Sequence, residues 1–416
     1  MSNREVAVGQ ARGARRALGA TTVLAVALLG AAGCASPAGS SGSGGSGGAS
    51  AATGSGGAPN TGGSNGSGGA SADAAAIGDS APPVDAAPDA IAVGGPGPSM
   101  VVTAFSGTPV SFTPTDNKRI VDAPVTFPAM PSTYQQITLK LALRCPAAGG
   151  CDFWDRRAFI GVVNHAGQPN ESVTEVARFM TPYRIGASWA LDVTALRPLL
   201  SGAVTMRVFI DTWVGPGHPQ GAGWLVDASF DMKGGVPARV PVAVLPLWDE
   251  TPVDFGDPAK PPATEAPPRM VTVPAGATAV ELRSFITGHG QGNAENCAEF
   301  CGKNHGFVVG AQTFQHQVWR TDCATTAVPG QAGTFQYSRA GWCPGATVVP
   351  WVIDVTAAMN PAGDTTVSYS AAAYENTCRP DAATCAGCTL GAMCPFDGGV
   401  HTPPFFDLSA LLIAYR

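Results

Sequence analysis

No stretch of this chain carries the three-to-four-residue apolar repeat of a long helix, and that bounds its possible folds more tightly than any other feature. Its apolar residues fall in short runs that alternate or are β-branched. In the first half these are Met100–Phe105, Ile137–Leu143, Phe159–Val163, Val204–Trp213 and Trp224–Met232. The second half adds Val240–Leu247, Ala279–Ile286, Gln312–Arg320, Val348–Asp354, Thr365–Tyr374 and Leu408–Tyr415. Gly, Pro, Asn and Asp separate the runs, as turns between strands require. Asp192–Leu200 has room for two helical turns. The expectation is an all-β protein of sandwich or jelly-roll type.

Residues 99–416 exceed what one antiparallel sandwich needs, so two domains are expected, 99–236 and 237–416, joined near Gly234–Pro241. A weak internal echo supports the division: Trp189-Ala190-Leu191-Asp192-Val193-Thr194-Ala195 resembles Trp351-Val352-Ile353-Asp354-Val355-Thr356-Ala357. Two sandwiches side by side make a cleft at their junction, a usual place for a ligand.

The remaining residues address the chain and hold it at a distance. Arg4, Arg12, Arg15 and Arg16 precede the apolar run Ala17–Leu29, and Ala31-Ala32-Gly33-Cys34 follows as a lipobox. Residues 1–34 are read as a lipoprotein signal with Cys34 as the lipid-bearing residue, and residues 35–98, rich in Gly, Ser, Ala and Pro, as a flexible tether. Ala35 rather than Asp follows the cysteine. By its resemblance to bacterial lipoproteins the chain is expected at the outer membrane or cell surface, with a periplasmic or secreted location as the alternative. The membrane is then a partner through the lipid alone. Charged residues make up only 13% of the chain, with net charge −6 and no basic patch, which argues against nucleic acid as a partner.

Ten of the eleven cysteines follow Cys34, and in an exported chain they point to disulfides. Cys145 and Cys151 enclose Pro-Ala-Ala-Gly-Gly as a tight loop that leads into Trp154-Asp155-Arg156, an aromatic, an acid and a base in one turn. Those three residues are read either as a surface ion pair or as part of a site. Asp211 stands near Trp213 where alternation breaks, as a turn cap or an acid facing a cleft.

The stretch Ile286–Gly345 collects the rarer residues. A Cys297–Cys301 bridge would pin Glu299 on a very small ring, for local hydrogen bonds or for chemistry. Cys323 and Cys343 bracket Arg339 and Trp342. Arg339 could orient a carboxylate or a sugar hydroxyl; Trp342 could stack on a sugar or pack against its disulfide. Cys378, Cys385, Cys388 and Cys394 favour two disulfides over a zinc site, with their pairing open. The histidines are scattered singly, so no metal or other cofactor is expected. Gly288-His289-Gly290-Gln291-Gly292 is followed by no helix, and a Gly-x-Ser-x-Gly elbow is absent.

Taken together, CPAAGGCDFWDRRA, ARFMTPYRIG, LDVTALRPLLSG, CAEFC, TFQHQ and RAGWCPG resemble segments of the peptide-N-glycosidase F family, in order from about Met100 to Arg416. The resemblance implies two eight-stranded jelly rolls side by side, an active site at their interface and no metal. It implies that the chain cleaves the amide joining asparagine to the first N-acetylglucosamine of N-linked glycoproteins or glycopeptides, acting as a monomer. Asp155 corresponds to the principal catalytic acid, Glu299 to the second essential acid and Asp211 to a third, supporting carboxylate. Arg156, Trp213 and Arg339 correspond to cleft residues, and Trp154 and Trp342 are added as candidate sugar contacts. The implied bridges are Cys145–Cys151, Cys297–Cys301 and Cys323–Cys343.

Three departures stand out. Asp211 replaces Glu, one methylene shorter, and a misplacement of about 1 Å can cost roughly 100-fold in rate. Phe300 replaces Trp, and His289 stands where the family has a Trp near the cleft. These departures favour, as the alternative, a glycan-binding or adhesive surface protein of the same fold. A copper monooxygenase with paired jelly rolls would need His and Met ligand sets that this chain does not show.

Overall fold

Alternation governs the first half of the chain, as its sequence predicts. The computed structural model describes residues 93–254, 260–290, 298–372 and 404–416. Among the described residues, nine strands precede residue 235: β1 (Met100–Thr113), β2 (Asp116–Lys118), β3 (Ile120–Phe127), β4 (Tyr134–Arg144), β5 (Arg157–Asn164), β6 (Ser172–Met180), β7 (Ala187–Asp192), β8 (Gly202–Ile210) and β9 (Trp224–Gly234). They form two antiparallel sheets, β2-β1-β9-β4-β7 and β3-β8-β5-β6. In β9 every second residue from Trp224 to Met232 is buried, which places one face of the sheet in the core. The short β2 only extends the end of β1, leaving eight principal strands.

The second half repeats the plan with β10 (Pro241–Asp254), β11 (Arg269–Thr272), β12 (Ala279–His289), β13 (Lys303–Val309), β14 (Gln312–Val318), β15 (Trp351–Asp354), β16 (Asp364–Ala371) and β17 (Phe405–Tyr415). Their sheets run β10-β17-β12-β15 and β11-β16-β13-β14. The chain is therefore all-β, two antiparallel sandwiches in series.

The sequence echo has a structural meaning. Asp192 and Asp354 each accept the N–H of the threonine two residues on, Thr194 and Thr356, at 2.9 Å. Each threonine hydroxyl then accepts a strand N–H, from Ile137 at 2.8 Å and Val280 at 2.9 Å. Trp189 packs on Phe179 and Trp351 on Phe307. The repeated motif caps the same edge strand in both sandwiches, β7 and β15.

Strand β17 joins the two cores. Phe406, Leu408, Ala410 and Leu412 enter the second core, while Leu411, Ile413 and Tyr415 pack with the first. A central strand buried on both faces reads as a continuous apolar run, and β17 does. The outer edge of β6 is covered as well: Val348 N–H donates to Arg178 at 2.8 Å and Met180 N–H to Ala346 at 3.0 Å.

Some expectations need correction. Asp192–Leu200 holds a single 3₁₀ turn, Thr194–Leu196, because the Asp192 cap uses the backbone that two helical turns would need. Thr212 and Trp213 lie beyond β8, and Val348–Pro350 precede β15. Strands β2, β3, β6, β7, β11 and β13 were not expected. In β3 a Pro breaks the pattern at a sheet edge, and in β6 two buried charges, Glu175 and Arg178, interrupt it.

Candidate active site at the junction of the sandwiches

Asp155 stands in the turn between β4 and β5, immediately after the loop closed by the Cys145–Cys151 disulfide. Asp152, fully buried, anchors that turn. Its carboxylate accepts the Trp154 N–H at 3.0 Å, Arg156 Nε at 2.8 Å and the Thr212 hydroxyl at 2.7 Å. The Thr181 hydroxyl accepts the Arg156 N–H at 2.8 Å and donates to the Trp154 carbonyl at 3.3 Å. One side chain thus clamps both peptide neighbours of Asp155.

The facing wall comes from the second sandwich. Glu299 lies between β12 and β13, where its carbonyl accepts the Ala340 N–H at 2.9 Å and its N–H donates to Gly290 at 3.3 Å. Arg339 sits in the loop after β14, tied back-to-back to Arg320 through N–H···O=C bonds of 2.8 and 3.3 Å. The Cys323–Cys343 disulfide closes this loop. Gly341, at φ +82°, passes so near the Ile286 carbonyl that a Cβ would lie 2.2 Å from it.

Arg339 is 1% exposed. Nη1 donates to the Tyr337 carbonyl at 3.1 Å and Nη2 to the Thr334 carbonyl at 3.2 Å, while Nε faces Glu299 Oε1 at 3.3 Å. This cation lowers the pKa of both Glu299 and Asp155, so it serves carboxyls from both sandwiches. Glu299 also senses Asp155. Burial, then the charge of Asp155, pushes Glu299 up to about 8 against the pull of Arg339. Burial also raises Asp155, but the Tyr183 contact, Arg339 and Arg156 oppose it. Such a pair divides its protons unequally: at neutral pH Glu299 keeps its proton, held there by burial and by the charge of Asp155.

Tyr183 was not singled out in the sequence, yet it completes the pair. Burial and Asp155 raise its hydroxyl pKa, so it remains a donor. Its N–H donates to Gln331 Oε1 at 3.0 Å. Gln331 in turn donates to the Val328 and Pro344 carbonyls, both at 2.9 Å, and so fastens Tyr183 across the junction. A Cβ on Gly333 would come within 2.9 Å of the tyrosine ring.

The remaining predicted residues divide. Arg156 stays beside Asp155, oriented by Asp152. Trp154 and Trp213 are exposed aromatics, 49% and 44% accessible, and the Thr212–Asp152 bond ties the Asp211–Trp213 segment to the Asp155 turn. Phe300 is also exposed, beneath the Arg339 guanidinium at 4.5 Å. Asp211 does not join the acid pair: its carboxylate pairs with Arg119 at 3.2 Å, and Arg119 lies over the Trp213 ring at 4.2 Å. Trp342 is corrected from a sugar contact to a structural residue. It is 4% exposed, donates its indole N–H to the Gly288 carbonyl at 2.8 Å and stacks on His289. Cys301 is disulfide-bonded. Cys297, Cys378, Cys385, Cys388, Cys394 and Cys34 lie outside the described residues.

Known proteins share sequence and fold with this chain. Residues 157–221 match the family described as peptide-N-glycosidase F, N terminal, and residues 262–385 its C-terminal counterpart. The first match begins just past Asp155 and Arg156. A peptide-N(4)-(N-acetyl-beta-D-glucosaminyl)asparagine amidase F from Elizabethkingia miricola is 32% identical over 244 residues, 55% of this chain. That match spans 66% of the relative, just under two thirds of its length. The structure of PNGase F, a glycosylasparaginase from Flavobacterium meningosepticum, superposes with a TM-score of 0.62 at 23% identity, covering 77% of this chain and 96% of that one. PNGF-II gives 0.56 at 16% identity over 76% of this chain and 65% of its own. These two likenesses are likenesses of fold, that of paired jelly rolls.

Proposed function

Since the chain belongs to the peptide-N-glycosidase F family, we propose that it hydrolyses the amide between an asparagine side chain and the first N-acetylglucosamine of an N-linked glycan. The products are an aspartate-containing peptide and a glycosylamine. The observation that carries this reading is the meeting of Asp155 and Glu299, from different sandwiches, around buried Arg339.

A neutral amide needs a base for the attacking water, a proton for the leaving nitrogen and stabilisation of the oxyanion. Asp155, surrounded by Arg156, Arg339 and Tyr183, ionises first and takes the proton of the water that adds to the carbonyl carbon. Glu299, protonated at neutral pH, gives its proton to the nitrogen as the carbon–nitrogen bond breaks. Arg339 supplies positive potential from a fixed position. Trp154 and Trp213 are the accessible aromatic walls for the sugar. The lipid anchor at Cys34, the export address and a monomeric state belong to the same proposal, which places this catalytic head on a tether of residues 35–98.

Incubating the folded protein with an N-glycopeptide in heavy-oxygen water tests the reaction. Mass spectrometry should show a labelled aspartate where the asparagine was; glycan still attached to asparagine would argue against the enzyme. Asp155→Asn should lower the rate by about 10²–10⁴-fold, and full activity in that variant would sink the assignment of the site. One observation favours a second reading, a glycan-binding surface protein: Asp211 is turned to Arg119 rather than toward the acid pair. Retention of intact glycopeptide on the immobilised wild-type protein would support it.

A further inference from the structure

The second sandwich carries a groove that the acid pair does not use. It opens where the edge strands β14 and β15 of its two sheets lie side by side, and it holds about 420 Å³, within the roughly 300–1,000 Å³ of ordinary ligand sites. Trp319, Trp351, His316, Arg320, Asp322 and Val349 line it.

The lining has a definite chemistry. The charge of Arg320 is matched within the groove: Nε and Nη2 hold the Asp322 carboxylate at 2.9 and 2.8 Å, and Nη1 donates to the Thr347 carbonyl at 3.1 Å. No cation is therefore left over to bind an anion. Asp322, 47% exposed and kept ionised chiefly by its hydrogen bond to Arg320, presents acceptor lone pairs in a fixed orientation. The indole N–H groups of Trp319 and Trp351 have no acceptor among the described residues, so they are available donors. His316 adds an exposed ring tilted on Trp351 at 5.1 Å, and Val349, 68% exposed, forms an apolar rim.

We propose that this groove is a second sugar site, holding a neutral pyranose of a glycan chain apart from the residues that would cleave it. A pyranose has what the lining lacks: hydroxyls that donate to Asp322 and accept from the indoles, and a C–H face to lie on an aromatic ring. A purely apolar segment would leave those donors and that acceptor unsatisfied. An anionic ligand would meet Asp322 with no free cation beside it. The site backs onto the catalytic loop, since Arg320 pairs through its backbone with Arg339 and Gly341 lies in the groove wall.

The test follows the tryptophan indole N–H resonances of the full Asp155→Asn chain by NMR while a released high-mannose N-glycan is titrated in. The expected result is a saturable movement of the Trp319 and Trp351 signals. Val349→Trp, which fills the rim from an exposed position, should weaken that half-saturation about tenfold and leave the Trp154 and Trp213 signals responding as before. His316→Ala, also exposed, should weaken it in the same sense. Movement confined to Trp154 and Trp213 would overturn the proposal. A neutral glucan run in parallel separates two sources of the same chemistry. If it moves Trp319 equally, the sugar site serves polysaccharide; if only the N-glycan does, it serves the substrate. Should wild-type protein fail to cleave glycopeptide while Trp319 still responds, the hydrolase reading fails and the sugar site stands.

Discussion

A single proton distinguishes the two acids, and their pH behaviour follows from it. Glu299 must hold its proton and Asp155 must have lost its own, so kcat/KM should be bell-shaped. The alkaline limb should fall near pH 8, where Glu299 ionises. The acid limb should lie above the usual aspartate value, because burial raises Asp155. Glu299→Gln keeps a donor of similar shape but no proton to give; the rate should fall about 10²–10⁴-fold and the alkaline limb should disappear. A Glu299→Gln profile that still bends near pH 8 would place that titration elsewhere. Much of the chemistry at this scale was legible in the sequence: Asp155 follows closely on the short Cys145–Cys151 ring, and Glu299 stands between Cys297 and Cys301 in the sequence. Asp152, Tyr183 and Gln331 were not legible. Tyr183 and Gln331 meet only across the fold, and the tie from Asp152 to Thr212 likewise joins residues distant in sequence.

Loops rather than strands set the site's precision, and glycine decides how closely they approach. Gly217 and Gly221 both have positive φ, +84° and +113°. A Cβ on Gly217 meets nothing within 4 Å, while one on Gly221 would lie 2.2 Å from the Cys151 carbonyl, beside the Asp152 anchor. Gly217→Ala should therefore cost about 1–2 kcal/mol of backbone strain and leave kcat intact. Gly221→Ala should cost more and lower kcat, since it displaces the loop that orients Arg156 and Asp155. Thermal melts beside kinetics on both variants make the comparison, and equal effects would count against the anchoring role. The missed strands had different causes, and β6 shows one of them. Periodicity detects a strand with one polar face, whereas β6 is buried on both and carries a Glu175–Arg178 pair that also bonds residues of the other sandwich.

At the scale of the whole molecule, a buried polar network fastens the two sandwiches. Arg178 donates to Glu175 at 2.5 and 2.9 Å, to the Asp407 carbonyl at 2.7 Å and to the Ser409 hydroxyl at 3.0 Å. Arg157 pairs with Asp407 and, at 3.1 Å, with Glu250. Removing one partner leaves a buried charge, so Arg178→Met should destabilise the protein by roughly 3–5 kcal/mol. Replacing Glu175 together with Arg178 by apolar residues should recover much of that loss. Denaturant titration of the single and double variants would show whether it does.

The same network predicts the dependence of stability on pH. Burial drives Glu250 up to about 8, so the folded state holds a proton that the unfolded chain releases, and this contribution fades as pH rises from about 4.5 to 8. Burial drives His289 down to about 3, so stability is also lost as pH falls from about 6.5 toward 3. Burial would raise Asp407, but Arg157 and Arg178 outweigh it and hold the carboxyl at about 2, so its contribution is lost only in strong acid. The melting temperature should therefore peak in mildly acidic buffer, and Glu250→Gln should flatten the alkaline side. A melting temperature that climbs steadily to pH 9 would contradict the protonation of Glu250.

Strand β17 has a consequence for the order in which the chain can assemble. Every other described strand precedes it, yet it lies at the centre of one sheet and its alternate residues close the core of the other sandwich. A chain emerging with its N-terminus first therefore carries two unfinished sandwiches, each with exposed apolar surface, until residues 405–415 arrive. Neither half is a rehearsal for the other; both wait on the same eleven residues. A chain stopped before Phe405 should yield two aggregating halves instead of one intact first sandwich, and limited proteolysis of that truncated product would reveal which.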